Sequence, residues 1–140
     1  MTTLASNSPR VYDAQEEPSF NDLPVVASDI IYEGAAVGEN AGNVRPLVAA
    51  DAFKGFADRK VDNSSGAAGA KTCHLRQRGV ITLSVTGVTG VSDEGSTVYA
   101  TDDDTFTLTA SGASAVGKVK RFVSGTTVEV YFEADSLRSI

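Results

Sequence analysis

In the segment Val80-Ile81-Thr82-Leu83-Ser84-Val85-Thr86, apolar and polar side chains alternate from Ile81 onward. Successive side chains of a β-strand point to opposite faces of its sheet, so this alternation places every second side chain on one face. Ile81, Leu83 and Val85 are therefore predicted to face a core, while the hydroxyl side chains between them face solvent. The segment predicts a strand with one buried face.

Similar segments recur from Val25 onward. Phe106 and Leu108 alternate with threonines, and short runs rich in Val, Thr, Ile, Tyr and Phe are separated by Gly, Ser, Asn and Asp. Short strands with frequent turn signals are typical of a sandwich or a barrel. The chain is predicted to be mainly β, a compact antiparallel sandwich or barrel that is jelly-roll-like in organisation. The predicted strands are residues 29–36, 43–49, 53–61, 72–77, 80–86, 97–101, 105–110, 117–123 and 126–133.

Residues 51–60 are the one segment of this region whose pattern also fits a helix. Ala52, Phe53, Phe56 and Lys60 have a spacing close to 3.6 residues. Gly55 costs a helix about 1 kcal/mol relative to alanine. A strand is therefore the preferred interpretation.

The last two predicted strands flank Ser124-Gly125, which can form a two-residue hairpin turn. This turn pairs Val123 with Thr126 and so places Lys120 opposite Glu129 and Val119 opposite Val130. In this register Arg121 falls on the valine face. That end of the ribbon is therefore expected to reach the edge of the domain or an interface.

The first 24 residues differ from the rest because they have no sustained period. They are polar and acidic and contain three prolines, which disfavour helix and ladder positions. Residues 1–24 are therefore predicted to be an extended N-terminal arm, and residues 25–140 a β domain. Tyr12, Phe20 and Leu23 are predicted to anchor this arm on a neighbouring subunit. The alternative is a terminal segment without a role.

Composition narrows the functional classes. A chain of 140 residues is one domain by length. Cys73 is its single cysteine, so no disulfide forms within the chain, and a reducing compartment is indicated. The N-terminus lacks the pattern of a signal peptide, and no run approaches the roughly 20 apolar residues of a membrane helix. The sequence predicts a soluble, non-exported protein without a membrane partner.

The net charge of −6 is concentrated in the first 62 residues, which carry 10 acidic and 5 basic side chains. Binding to nucleic acid draws most of its affinity from Lys and Arg contacts with phosphate. The local basic groups, at residues 76–78 and 118–121, lie in strand-like runs and are expected to face solvent or to pair with carboxylates. No nucleic-acid partner is predicted.

The segment GAAGAKT at 66–72 ends like a phosphate-binding loop. Such a loop needs glycine immediately before the lysine and again five residues earlier, where this chain has Ala70 and Ser65. The element that follows is a predicted strand, which lacks the helix N-terminus that binds the phosphate. The segment is predicted to be a flexible loop of small residues.

No catalytic or metal constellation emerges from the other polar residues. Cys73 and His74 are adjacent, so their side chains point to opposite faces of a strand and cannot act on one metal or one substrate. Asp102, Asp103 and Asp104 are consecutive and cannot all face one cation. A hairpin turn in which aspartates bind local amides is preferred, with a weak surface calcium site as the alternative. The chain is predicted not to be an enzyme and to have no cofactor and no metal.

The segment NDLPVVASDIIYEGAAVG at 21–38 resembles the capsid cement, or decoration, proteins of tailed phages. The resemblance continues through FKGFA at 53–57, VDNSSGAAG at 61–69, Gly79-Val80, VYA at 98–100 and GKV at 117–119. It covers most of residues 20–133, and the order and spacing of the segments match the family. Residues 1–15 are longer and more acidic than in a minimal member.

This resemblance implies a compact β fold on the outer surface of a shell of HK97-type major capsid proteins, which it would bridge and stabilise. The implied partners are the major capsid protein and further copies of the chain, as a homodimer or a homotrimer. The implied location is the virion, after synthesis in the host cytoplasm, and no catalytic residues carry over. Two other classes stay open: another structural phage component, such as a tail-tube or fibre domain, and a carbohydrate-binding β domain.

Overall fold

The computed structural model describes residues 3–13 and 19–138. It is mainly β, which confirms the predicted class, and two single 3₁₀ turns, Val91–Asp93 and Asp135–Leu137, are the helical elements of the described residues. The strands are β1 (Ser19–Pro24), β2 (Asp29–Ile31), β3 (Ala36–Asn40), β4 (Asn43–Pro46), β5 (Ala52–Ala57), β6 (Val61–Asn63), β7 (Thr72–Thr86), β8 (Thr97–Ala100), β9 (Phe106–Thr107), β10 (Ser114–Ser124) and β11 (Thr127–Glu133).

The central strand is β7, which pairs with β1, β5, β9 and β11. The sequence predicted two strands here, at 72–77 and 80–86. They are one strand, because Arg78 and Gly79 continue the ladder opposite Glu133 and Phe132. The side chains of Ile81, Leu83 and Val85 are buried, as their alternation predicts.

A five-stranded barrel closes on β7. Its order is β7, β9, β8, β10 and β11, and β11 pairs again with β7. All of these pairs are antiparallel except that of β7 with β9, where Val85 and Thr86 run parallel to Phe106 and Thr107. The antiparallel prediction is wrong at this pair for a geometric reason. Strand directions cannot alternate around a closed ring with an odd number of members, so one neighbouring pair must be parallel.

Two apolar clusters form the interior. Phe53, Phe56 and Phe132 belong to the cluster of the barrel, and the rings of Phe56 and Phe132 meet edge to face with centroids 5.0 Å apart. The second cluster, which includes Val25 and Leu75, lies under the extension formed by β3, β4 and the β2–β6 pair. β5 links the two, since Phe56 belongs to the first cluster and Ala57 to the second.

The strand predicted at residues 53–61 is confirmed over 53–57 as part of β5, which ends at Ala57. Gly55 has a φ of +131°, and a Cβ at this position would lie 2.2 Å from the carbonyl oxygen of Arg76. The close approach of β5 to β7 therefore requires glycine, which has no side chain and tolerates positive φ.

The C-terminal hairpin forms, but in a different register from the predicted one. Its turn is Gly125-Thr126, and Ser124 pairs with Thr127. Val119 pairs with Val130 as predicted. The predicted pairing of Lys120 with Glu129 is wrong.

Two bulges explain the change of register, one between Phe122 and Ser124 and one between Val119 and Arg121. The extra residue of the second bulge re-aims the strand and places Arg121 opposite Glu129. The Nη2 atom of Arg121 donates to Oε2 of Glu129 at 3.0 Å. The bulge thus removes an arginine from the valine face.

Replacing Gly55 with alanine is expected to lower the free energy of unfolding by about 2–4 kcal/mol, because the new Cβ would meet the backbone of Arg76 at a strained φ. The matched control is Gly90→Ala, since a Cβ at Gly90 meets nothing within 4 Å and its φ of 172° is ordinary extended backbone. Urea unfolding of both variants beside the wild type measures the effect. Equal stability of Gly55→Ala and wild type would contradict the close approach of β5 and β7.

Candidate interaction surface

β1 lies antiparallel along the first half of β7. Its residues pair from Ser19 opposite Arg78 to Pro24 opposite Thr72, and Leu23 packs against the second apolar cluster. The structure therefore differs from the predicted division of the chain at residue 24. Residues 19–24 are a strand of the sheet and not part of an extended arm, because ladder hydrogen bonds and the burial of Leu23 compensate for the polar composition.

Four side chains form a stack on this part of the surface. The rings of Phe20 and His74 are parallel, with centroids 5.1 Å apart. The guanidinium carbon of Arg76 lies 5.0 Å from the ring centroid of Phe20 and 4.1 Å from that of Tyr12. The charge of Arg76 is thus placed near two aromatic rings that attract it.

Two carboxylates hold the basic members of the stack in place. The Nε atom of Arg76 donates to Asp58 at 3.1 Å, and Nδ1 of His74 lies 2.8 Å from Oδ1 of Asp22. Asp22 and His74 are direct partners across β1 and β7. Such partly exposed pairs contribute little each, so their effect here is to fix orientation and register.

Residues 3–13, the N-terminal strap, run over the surface of the same domain. Thr82 donates its N–H to the carbonyl of Val11 at 3.0 Å, and Asp13 donates its N–H to that of Val80 at 2.9 Å. The Tyr12 ring packs 6.1 Å from the Phe132 ring. Burial raises the pKa of the Tyr12 hydroxyl well above its ordinary value, and the nearby Arg76 opposes this shift. No strap residue is fully buried, so polar contacts carry much of its attachment.

The three consecutive aspartates bind this strap. Thr3 donates its N–H to Asp103 at 2.9 Å and its hydroxyl to Asp103 and Asp102. Arg10 binds Asp104 at 2.8 Å and also donates to the carbonyl of Gly34 at 2.9 Å. The predicted turn is also present, since Asp102 accepts the N–H of Asp104 at 2.9 Å. The aspartates therefore shape the β8–β9 turn and receive the strap at the same time.

The three predicted anchors lie on the sheet of their own chain. Tyr12 and Leu23 are partly buried there, while the Phe20 side chain is 42% exposed. The predicted binding of these residues to a neighbouring subunit stays a prediction. Sequence analysis missed Arg76 and His74 as members of the stack. Their alternation within residues 72–77 gives them a common face, but their aromatic neighbours come from distant segments.

The outer edge of β1 has few free donors. Pro24 has no N–H, and the N–H of Asp22 binds the side-chain oxygen of Asn21 at 2.9 Å. Proline and local capping protect an edge strand from pairing with other chains. Contacts through the faces of the domain are therefore favoured over strand addition at β1.

The other sequence candidates have structural roles. Lys71 of the glycine-rich segment donates to the carbonyl of Asp62 at 2.7 Å, and β7 follows directly. Cys73 is buried on the face opposite His74, and burial raises the pKa of its thiol to about 12. Among the described residues, no group of three or more His, Cys, Asp or Glu side chains is placed to hold a metal ion. No helix within the same residues is long and apolar enough to span a membrane.

Comparison with solved structures finds a related fold. The chain is similar to one chain of the solved capsid of Myoviridae phage XM1, with a TM-score of 0.59 and 19% sequence identity over 95% of this chain and 94% of that chain. No protein-family model and no curated protein matches the sequence. At this identity the likeness is one of fold, and it extends over nearly the whole of both chains.

Replacing Arg76 with lysine is expected to lower the free energy of unfolding by roughly 1–2 kcal/mol, because lysine keeps the charge but loses the planar group that lies close to Phe20 and Tyr12. Arg59→Lys is the control at an exposed position. Chymotrypsin cleavage after Tyr12 and Phe20 in the native state should become faster in Arg76→Lys only. Unchanged cleavage and unchanged stability would show that the stack does not hold the N-terminal residues.

Cys73 is expected to be inert to thiol reagents in the folded protein at pH 8 and to react fully in urea, since the thiolate is the reactive form and burial raises the thiol pKa to about 12. A pKa raised above the unfolded value of about 8.5 means that ionisation favours unfolding. This contribution to stability is complete below about pH 8 and is lost as the pH rises towards 12. The wild type should therefore lose more stability between pH 8 and pH 10.5 than Cys73→Ala, and rapid labelling of the native state would refute the assignment.

Proposed function

We propose that this chain is a structural virion protein, a cement or decoration protein that binds the outer surface of a shell of HK97-type major capsid proteins and stabilises it. The observation that carries the proposal is the likeness of fold to one chain of a phage capsid, over 95% of the present chain. The resemblance of residues 21–38 and the later segments to capsid cement proteins supports the same function from sequence. The proposed site of action is the outer capsid surface, after synthesis in the host cytoplasm.

The contacts of the polar side chains support adhesion as the mode of action. Asp102, Asp103 and Asp104 bind the strap, and His74 pairs with Asp22 on β1. The residue types that serve in catalysis are thus engaged in holding the fold. The proposal therefore includes that the chain is not an enzyme and acts without a cofactor.

The proposed partners are the major capsid protein and further copies of this chain, with no role for nucleic acid or membrane. Copies repeated on a lattice bind at high effective concentration, so each contact can be modest. Phe20 is the member of the stack with the most accessible ring, at 42% exposure. Phe20 is proposed as the residue of β1 that contacts a partner, and the capped edge of β1 favours a dimer or a trimer that associates through faces.

Cosedimentation with expanded, undecorated capsids tests the proposal. The wild type is expected to pellet with the capsids and to raise the temperature at which they open. Phe20→Ala should reduce retention about tenfold, equivalent to 1.4 kcal/mol, while Val91→Ala is the control because its side chain is 66% exposed in a distant 3₁₀ turn. Melting curves of both variants must first show a folded domain.

Three outcomes would contradict the proposal. Failure of the wild type to pellet with capsids would remove the cement function. Assembly of the pure protein into tubes or fibres without capsids would favour another structural phage component. Specific retention on a glycan array, without capsid binding, would favour a carbohydrate-binding domain.

A further inference from the structure

One edge of β7 needs a strand that the barrel does not supply. The carbonyl of His74 accepts the N–H of Asp58 near the end of β5, and the carbonyl of Thr86 accepts the N–H of Leu108 after β9. Between these positions the same edge presents Val80 and Thr82, and the strap is the segment that hydrogen-bonds to both. An open edge of this kind invites pairing with any suitable strand. The edge therefore demands a partner strand, although it does not specify which copy provides it.

The seat of the strap is built from residues that the strap itself does not order. Ile81 and Phe132, beneath Tyr12, belong to the buried cluster of the closed barrel. The backbone of the β8–β9 turn fixes the aspartates, since Asp102 binds the N–H of Asp104 and the hydroxyl of Thr105, and the carbonyl of Asp103 accepts the N–H of Ala36. The seat thus persists when the strap leaves.

The strap is attached without being part of the core. Six of its eleven residues are exposed, and its polar contacts reach partners about 100 residues away, as in the pairing of Arg10 with Asp104. The apolar side chain of Val11 is 69% exposed in the seated strap. A second strap that passes beside the first would cover this side chain. Release of the strap costs its hydrogen bonds to Val80 and Thr82 and the packing of Tyr12 and Leu4 against the two apolar clusters, but it removes no residue of the clusters themselves.

We propose that the strap exchanges between copies, so that residues 3–13 of one chain occupy the seat of a second copy of the same chain. Every contact that the strap makes within one chain can then form between two chains. Exchange of an identical element is a low-cost route to an oligomer. Exchange between copies competes with the intramolecular arrangement when the local concentration of neighbouring copies reaches the effective concentration of the tethered strap, which is on the order of mM. The inference concerns pairing of copies and does not depend on capsid binding.

The chain length limits which copies can exchange. Five residues, 14–18, join Asp13 to Ser19, and six steps of the chain span at most about 20 Å. The receiving seat must therefore begin within about 20 Å of Ser19 of the donor chain. Only copies in direct contact meet this condition, and a closed exchange among them is reciprocal in a dimer or cyclic in a trimer.

Charge reversal in the full-length chain tests the exchange. Arg10→Glu and Asp104→Arg each place like charges at the contact between strap and seat, and the double variant restores an opposite pair within one chain. Asp104 is 43% exposed, so the arginine has room. When the two single variants are mixed at about 1 mM and low salt, the glutamate introduced into one chain can meet the arginine introduced into the other only across copies.

Native mass spectrometry and sedimentation velocity give the readout. The mixture is expected to contain at least about tenfold more mixed oligomer than homo-oligomer in either variant alone, and the double variant should melt like the wild type. A mixture that behaves as two sets of monomers, while the double variant recovers wild-type melting, would overturn the proposal. If Asp104→Arg does not fold, Asp13→Lys and Lys120→Glu provide a second pair, since Lys120 Nζ lies 3.7 Å from Asp13 Oδ2, and the same two outcomes decide.

Discussion

The fold depends on a single strand that uses both of its edges over fifteen residues. Along one edge of β7, the backbone groups of residues 74, 80, 82 and 86 form hydrogen bonds with the end of β5, the strap and the end of β9. Along the other edge, the backbone groups of residues 71, 77 and 85 form hydrogen bonds with the segments around β1 and β11. Backbone groups of a buried strand must be paired, so β7 imposes a position on each of these segments. The barrel, the extension and the N-terminal residues are joined through this one ladder.

The surface stack is a consequence of the same ladder. Because β7 is continuous through Arg78 and Gly79, its first half carries His74 and Arg76 on one face while its second half builds the barrel. β1 and the strap lie against this strand, and they bring the rings of Phe20 and Tyr12 close to the guanidinium of Arg76. An arginine can contact rings through its planar face while its N–H edge binds a carboxylate, here that of Asp58. Packing and electrostatics therefore attach the N-terminal residues to the sheet without burying them.

Sequence patterns predicted what depends on neighbours along the chain. The alternation at 80–86 predicted the buried face of β7, the glycine in 51–60 argued against a helix, and the aspartates at 102–104 predicted a turn. What they could not predict depends on distant segments: the bulge at Lys120, the parallel pair of β7 and β9, and the binding of Thr3 and Arg10 by those same aspartates. The sequence of the polar strap alone is typical of an arm, because the aspartates that accept its hydrogen bonds lie about 100 residues further along the chain. The topology is what places the strap beside these aspartates and β7.

The shortness of β9 explains why an N-terminal segment is needed along β7. Five strands force one parallel pair, and here that pair is β7 with β9, which spans only two residues on each strand. On the opposite edge β11 pairs with seven residues of β7, so the barrel covers one edge of β7 far more completely than the other. The uncovered stretch around residues 80–82 lies beside the aromatic core, where unpaired backbone groups are costly. A short segment with one aromatic side chain, Tyr12, and the charged residues Arg10 and Asp13 close to it in sequence meets this requirement. A more apolar segment would cover the edge equally well, but it would expose more apolar surface, whereas half of the exposed strap side chains, those of Thr3, Ser6 and Asn7, are polar.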